Sequence, residues 1–162
     1  MSIDKVRRFF AEYGREKDVL EFPVSSATVE LAAVAVGVIP ARIAKTLSFK
    51  VGDGCVLVVA AGDAKIENAK YKAQFKTKAK MLTPEEAVEF TGHAVGGVCP
   101  FALPKDGGVT VYTDVSLKRF ETVFPAAGSS NSAIELSCDE LFSYSNSAGW
   151  IDVCKGWQEE QE

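Results

Sequence analysis

A chain of 162 residues, 47% apolar and 25% charged, is long enough for one well-filled core and has the composition of an ordinary globular domain. Its 22 acidic and 18 basic residues leave a net charge of −4, which argues against a basic nucleic-acid binder of the usual kind and restricts any RNA contact to a local patch. No apolar run approaches the ~20 residues of a membrane span, the N-terminus lacks an apolar signal core, and four scattered cysteines without CxxC or partner histidines argue against zinc. A cytoplasmic protein with reduced thiols is expected.

In chain order, Ile3, Val6, Phe9, Phe10 and Tyr13 recur at helical spacing behind Ser2, a good N-cap, and Gly14 ends the run. VLEFPV (19–24) reads as a short strand. SSATVELAAVAVG reads as a helix opened near Ser25, Ser26 or Thr28 and closed by Gly37. After a turn at Pro40, KTLSFKV and CVLVVAAG flank a Gly-Asp-Gly turn, the clearest hairpin in the chain (45–62). AKIENAKYKAQF (64–75) is helical and rich in lysine. In TPEEAVEF (83–90), Thr83 is the N-cap, Pro84 the first helical residue and Glu86 the partner in a capping box. VTVYTD (109–114) predicts a strand, SLKRF a helical turn, ETVFPAAG (121–128) a strand and AIELS (133–137) another. Ser137 and Glu140 cap a short helix, and GWIDVC (149–154) predicts a terminal strand ahead of QEEQE (158–162), a solvated tail. Strands in hairpins with interspersed helices predict an α+β class. The expected architecture is a single domain over residues 1–157, with a mixed, mostly antiparallel sheet surrounded by helices.

TGHAVGGVCPFALP (91–104) concentrates conformationally special residues: the only histidine, a Gly-Gly pair, Cys99 and two prolines. An ordinary helix-to-strand connection is one reading. The other uses what glycine offers, since Gly96 and Gly97 lack a Cβ and let a ligand approach their N–H groups, while Pro100 stiffens the exit. A rigid loop with several N–H groups, those of Gly96, Gly97 and Val98, suits an oxyanion or ester carbonyl. His93 and Cys99 also invite a Cys–His nucleophilic site, against which no nearby Asp or Asn offers an obvious third member. Lys65, Lys70, Lys72, Lys76, Lys78 and Lys80 face only Glu67 in one short stretch. They form either a solvated helix face or a phosphate-contacting patch, in which Lys70, Lys72, Lys76 and Lys78 are the candidates.

Three segments carry a family resemblance. TGHAVGGVCP resembles the Gly-x-x-x-Pro loop of the YbaK/prolyl-tRNA synthetase-associated domain family, with Gly96 and Pro100 on its two fixed positions. VGVIPARIAKTLSFKV resembles the family's helix-ending glycine followed by a lysine and threonine that lead into a strand, which places Lys45 on the catalytic-site lysine and Thr46 beside it. FPAAGSSNSAIELSCDEL resembles the family's glycine-containing loop and the strand ending in Glu-Leu, with Gly128 and Ser129 in the loop. The likeness covers most of residues 1–145.

The resemblance implies an aminoacyl-tRNA deacylase, a trans-editing hydrolase for tRNA-Pro carrying a small non-cognate amino acid, with no metal and no cofactor. In that scheme the Gly96 loop stabilises the oxyanion and Lys45 holds the terminal nucleotide. Phe22, Thr28, Thr46, Cys99, Pro100, Gly128 and Ser129 line the substrate site, with Phe22 as the aromatic wall. The implied partners are the acceptor end of an aminoacyl-tRNA and prolyl-tRNA synthetase, with neither DNA nor membrane. In the cysteine-specific branch a phenylalanine begins the helix and an aspartate precedes Glu-Leu by two residues. This chain has Thr28 and Ala133 there, which leaves cysteine, alanine, serine, threonine or another small residue open. Two other classes stay in view: a catalytically silent tRNA- or synthetase-binding module, and a thiol hydrolase using Cys99.

Overall fold

Local signals account for the helices. The computed structural model describes residues 2–157, with Ser2 by its backbone alone, so the expected capping by the Ser2 side chain and the tail at 158–162 lie outside the described residues. Helix α1 (Ser2–Ala11) buries Val6 and Phe10 completely, and a 3₁₀ turn (Glu16–Asp18) leads into β1 (Val19–Glu21). Helix α2 (Val29–Val36) is capped by Thr28, whose hydroxyl accepts from Leu31 N–H at 3.1 Å, and it stops at Gly37 in the left-handed region. Strands β2 (Ile43–Val51) and β3 (Gly54–Ala61) form the expected hairpin, which starts two residues earlier than the sequence suggests.

The lysine-rich segment divides into a two-residue strand, β4 (Lys65–Ile66), and a helix, α3 (Asn68–Phe75). Helix α4 (Pro84–Thr91) has both halves of its capping box, and so does α5 (Cys138–Tyr144), started by Ser137 and Glu140. Between them lie β5 (Val109–Asp114), a 3₁₀ turn (Val115–Arg119), β6 (Thr122–Pro125), β7 (Ser132–Ile134) and β8 (Leu136–Ser137). AIELS is therefore two strands broken at Glu135, because Ser132–Ile134 pairs with β1 while Leu136–Ser137 pairs with β6. GWIDVC likewise divides into β9 (Trp150–Ile151) and β10 (Cys154–Lys155), which pairs with β4.

The main sheet runs β8-β6-β2-β3-β5-β9 and is mixed. Its hairpin β2–β3 and the edge pair β6–β8 are antiparallel, whereas β6, β5 and β9 join as parallel neighbours. Strand β3 lies at the centre with Cys55–Ala61 buried throughout, so it reads as one apolar run and not as an alternation. Tyr71 and Phe75 of α3 pack on Phe49 and Tyr112, with ring centroids 5.0 and 5.3 Å apart. Val111, on the opposite side of β5 from Tyr112, lines a groove together with Phe9 of α1 and Tyr13 just after it. Phe10, Phe101 and Tyr144 close that layer edge to face. A smaller apolar cluster of Ala32, Ala33, Ile43 and Phe124 seats α2 on the sheet end, apart from the main core. The result is one α+β domain, with its distinctive backbone gathered where α2, β2, β6 and the 91–104 loop meet.

Candidate functional site

That meeting point encloses a cavity of about 150 Å³. Strand β2 contributes Ile43, Lys45 and Thr46, the start of α2 contributes Thr28, Val29 and Ala32, and the 91–104 loop contributes Gly96 and Val98. Phe124, Ala126, Ser132 and Ala133 of the β6–β7 region complete the lining. Apart from Lys45 the lining is small or apolar, and its hydroxyls are mostly engaged. Thr28 caps α2, Ser26 donates to Ser130 O at 3.2 Å, and Ser132 shares a hydrogen bond with Ser129 at 2.7 Å. Thr46 Oγ1 is enclosed and has no hydrogen-bond partner among the described residues.

Lys45 pairs with Ala60 in the hairpin register, which brings its side chain beside the turn after β3. Its ammonium donates to Gly62 O at 3.4 Å and to Ala64 O. Both acceptors are neutral carbonyls. No carboxylate within ion-pair distance cancels the charge among the described residues, although burial pushes the pKa below the usual lysine range. An ammonium has three donors, so one remains for a ligand in the cavity.

The loop presents its backbone unevenly. Gly96 has φ +95°, a conformation that favours glycine, and a Cβ there would meet only Ser130 and Ala27 at 3.5 and 3.7 Å. The N–H groups of Gly96 and Val98 have no acceptor among the described residues. Gly97 differs from the sequence expectation. Its N–H donates to Ala94 O at 2.9 Å, and a Cβ would lie 2.8 Å from Ser129 Cα. This glycine exists for close packing against the Gly128–Ser129 backbone and is not an oxyanion donor.

Other expected site residues also lie elsewhere. Phe22 is tied to Asn131 through its backbone, its N–H donating to Asn131 O at 2.7 Å and its carbonyl accepting from Asn131 Nδ2 at 3.0 Å, and it is not among the residues that line the cavity. Pro100 is buried and borders a separate, wider groove of about 960 Å³ alongside α1. Gly128 and Ser129 support the loop from behind without facing the cavity.

Cys99 is fully buried, and its thiol is pushed up to about 12 by burial. His93 Nε2 does come within 3.5 Å of Cys99 Sγ, but it also lies 2.8 Å from Phe101 O. A carbonyl only accepts, so Nε2 carries the proton and cannot take one from the thiol. Burial also pulls His93 below its usual range, which keeps the pair neutral and structural. Cys99→Ala should accordingly leave turnover within about twofold while lowering stability by about 1–2 kcal/mol through the small cavity it opens. Matched kinetics and thermal melts check this, and loss of turnover in a stable variant would restore the thiol reading.

Among the lysines, Lys70 is occupied by Asp152 at 3.0 Å and Cys154 O at 3.1 Å, so it is not a free phosphate contact. Lys72, Lys76 and Lys78 are exposed and have no carboxylate partner among the described residues. The hydrogen-bond acceptors that hold Lys45 were missed in the sequence. The hairpin register would have exposed them, since Lys45 opposite Ala60 puts the 62–64 turn within reach. Among the described residues no group of three or more His, Cys, Asp or Glu side chains gathers as a metal site would need, and no helix is long and apolar enough to cross a membrane.

Comparison with known proteins agrees with this geometry. The Bacillus subtilis (strain 168) protein YwhH is 58% identical over 159 residues, covering 98% of this chain and 100% of that protein. The proline–tRNA ligase of Thermotoga maritima is 34% identical over 94 residues, which is 57% of this chain but only 16% of the ligase. A crystal structure described as a candidate trans-editing enzyme for prolyl tRNA synthetase superposes with a TM-score of 0.85 at 28% identity, covering 96% of this chain and 98% of that one. The model of the aminoacyl-tRNA editing domain family matches residues 24–144, a span that contains every residue lining the cavity around Lys45, and the chain belongs to that family.

Proposed function

We propose that the protein is a trans-acting aminoacyl-tRNA deacylase that hydrolyses tRNA-Pro carrying a small non-cognate amino acid, without a metal. One observation carries this reading: Lys45, whose ammonium meets no carboxylate, lines one small cavity together with Gly96 and Val98, whose N–H groups have no acceptor among the described residues. The amino-acid side chain sits among Val29, Ala32, Ile43 and Phe124, and the volume of about 150 Å³ favours a small one. The ester carbonyl points its oxygen at the N–H groups of Gly96 and Val98. Water adds to the carbonyl carbon and gives up a proton to solvent, the oxyanion is held by those donors, and collapse breaks the ester C–O bond as the ribose oxygen takes a proton from solvent, releasing the amino acid and the terminal ribose hydroxyl. Each donor contributes roughly 3–4 kcal/mol where the bound substrate displaces competing water. Lys45 directs its remaining proton to the terminal phosphate or ester region and positions the substrate as a point charge.

The test is a panel of tRNA-Pro charged with alanine, serine, cysteine, threonine or proline, assayed with and without chelator. Hydrolysis of at least one small non-cognate ester, slow turnover of the prolyl ester and no effect of chelator are expected. Tight tRNA binding with no hydrolysis of any ester would make the protein a binding module instead.

The tRNA body is proposed to meet Lys72, Lys76 and Lys78. Reversing their three charges should weaken binding and reduce the salt slope by about one unit for each phosphate that is no longer neutralised. Unchanged affinity and slope would reduce these lysines to a solvated face.

A further inference from the structure

Lys45 does not choose its own direction. Two of its three protons go to the carbonyls of Gly62 and Ala64, so the third points wherever that turn dictates. The turn is held from outside. Asp63, between the two acceptor residues, is gripped in a fork by Arg119, with Nη2 to Oδ1 at 2.5 Å and Nη1 to Oδ2 at 3.0 Å. The pair is largely enclosed, its side chains 14% and 12% exposed. Arg119 is fixed in turn, because its Nε donates to Ser116 O at 2.9 Å and its guanidinium lies over the Phe120 and Trp157 rings at 4.9 and 5.2 Å. Ser116 Oγ accepts from Ala61 N–H at 3.1 Å, which ties the same 3₁₀ segment to the start of the turn. On the far side, Gly62 lies so close to Pro40 that a Cβ would fall 2.1 Å from Pro40 O.

We propose that Asp63 and Arg119 are positioning residues: by clamping the 62–64 turn they aim the free proton of Lys45 into the cavity. This rests on the proposed role of Lys45. The arrangement holds an ammonium firmly without neutralising it, since the turn grips it through carbonyl oxygens and keeps the carboxylate on Arg119. Asp63 still acts on Lys45 through space. The charged or titratable groups around that ammonium are Cys154 on β10, Asp63 and Lys65 on the turn and β4, and Glu30 on α2, of which Cys154, Asp63 and Glu30 favour its charged form and Lys65 opposes it.

Arg119→Lys keeps the charge but loses the fork, and Asp63→Asn keeps the shape but loses the charge. Each is to be made with Lys45 intact and in a Lys45→Ala background, and kinetics measured with the misacylated tRNA that the wild type hydrolyses fastest. With Lys45 present, kcat should fall about tenfold and KM change less than about twofold, because the proton is misaimed while most of the tRNA interface persists. In the Lys45→Ala background the same changes should cost nothing further, as residues acting through one group are not additive. The ¹⁵N signal of Lys45 Nζ should titrate at lower pH in Asp63→Asn. Equal losses in both backgrounds, or an unchanged kcat and Nζ midpoint, would overturn the inference. Full activity of Lys45→Ala alone would sink the role of Lys45 first, and this inference with it. Thermal melts confirm folding, and Arg119→Lys carries the test if Asp63→Asn does not fold.

Discussion

Lys45→Ala should reduce kcat/KM for the misacylated tRNA about 10²-fold or more, while the melting temperature moves by no more than about 3 °C. The loss of activity follows from removing a positioned charge in a water-poor site. The small stability effect follows from burial, which makes the ammonium costly in the folded state and offsets its two hydrogen bonds to the turn. The pH dependence has a definite sign. Burial lowers the folded pKa of Lys45, so the unfolded chain holds the extra proton across the window between that lowered value and the ordinary lysine value of about 10.4. In that window rising pH removes a cost of folding, so the contribution of Lys45 to stability grows. Activity moves the other way, because the ammonium is the useful form, and its alkaline limb should fall below the ordinary lysine range. Background-corrected rates across pH measure this. A wild-type rate in the variant would leave Lys45 only a structural role, holding the 62–64 turn.

Gly97→Val should damage turnover and stability together. The added Cβ would stand 2.8 Å from Ser129 Cα, 2.9 Å from Ser129 N and 3.0 Å from Gly128 C, all backbone atoms that cannot swing aside. The two loops must separate, at a cost of about 1–3 kcal/mol and a melt lowered by several degrees. The unengaged N–H groups of Gly96 and Val98 move with them, so turnover should fall at least tenfold. Gly96→Ala is the informative contrast. It has room for its methyl group, but its φ of +95° strains an L-residue, so the loop should shift with less damage to packing. Differential scanning calorimetry beside single-turnover kinetics separates the two. If Gly97→Val melts normally, the close packing of 97 against 128–129 does not hold in solution.

Legibility from sequence tracked how local each determinant is. Thr83 and Ser137 announce their helices because a cap is decided within four residues, Thr28 is one of three candidates with Ser25 and Ser26, and the 45–62 hairpin is legible because turn and flanks are contiguous. The division of 133–137 and 149–154 into separate strands was not legible. Strands of two or three residues have no periodicity, and of their partners only β6 is near in sequence, while β1, β4 and β5 lie far away. The same holds at the site. Lys45, Thr46, Gly96, Val98 and Thr28 line one cavity although they come from three separate stretches of the chain. Phe22 could not be excluded beforehand, because only the tertiary fold ties it to Asn131. The chemistry of Cys99 was likewise hidden, since two residues flanking a glycine pair say nothing of how deeply they are enclosed.

The sheet order has a consequence for how the chain acquires its cavity. The hairpin β2–β3 closes over a short loop and can form early, and it already carries Lys45. The rest of the cavity waits for distant partners, because Ile43 must find Phe124 and Ala44 must find Pro125. Such non-local pairings are the slow, entropically costly part of folding. On the ribosome, a nascent chain that has exposed everything up to Val98 would own the lysine and the loop yet enclose nothing. Partly synthesised or partly refolded molecules should therefore be unable to hydrolyse any ester, and recovery of activity on refolding should coincide with the final kinetic phase and not with hairpin formation.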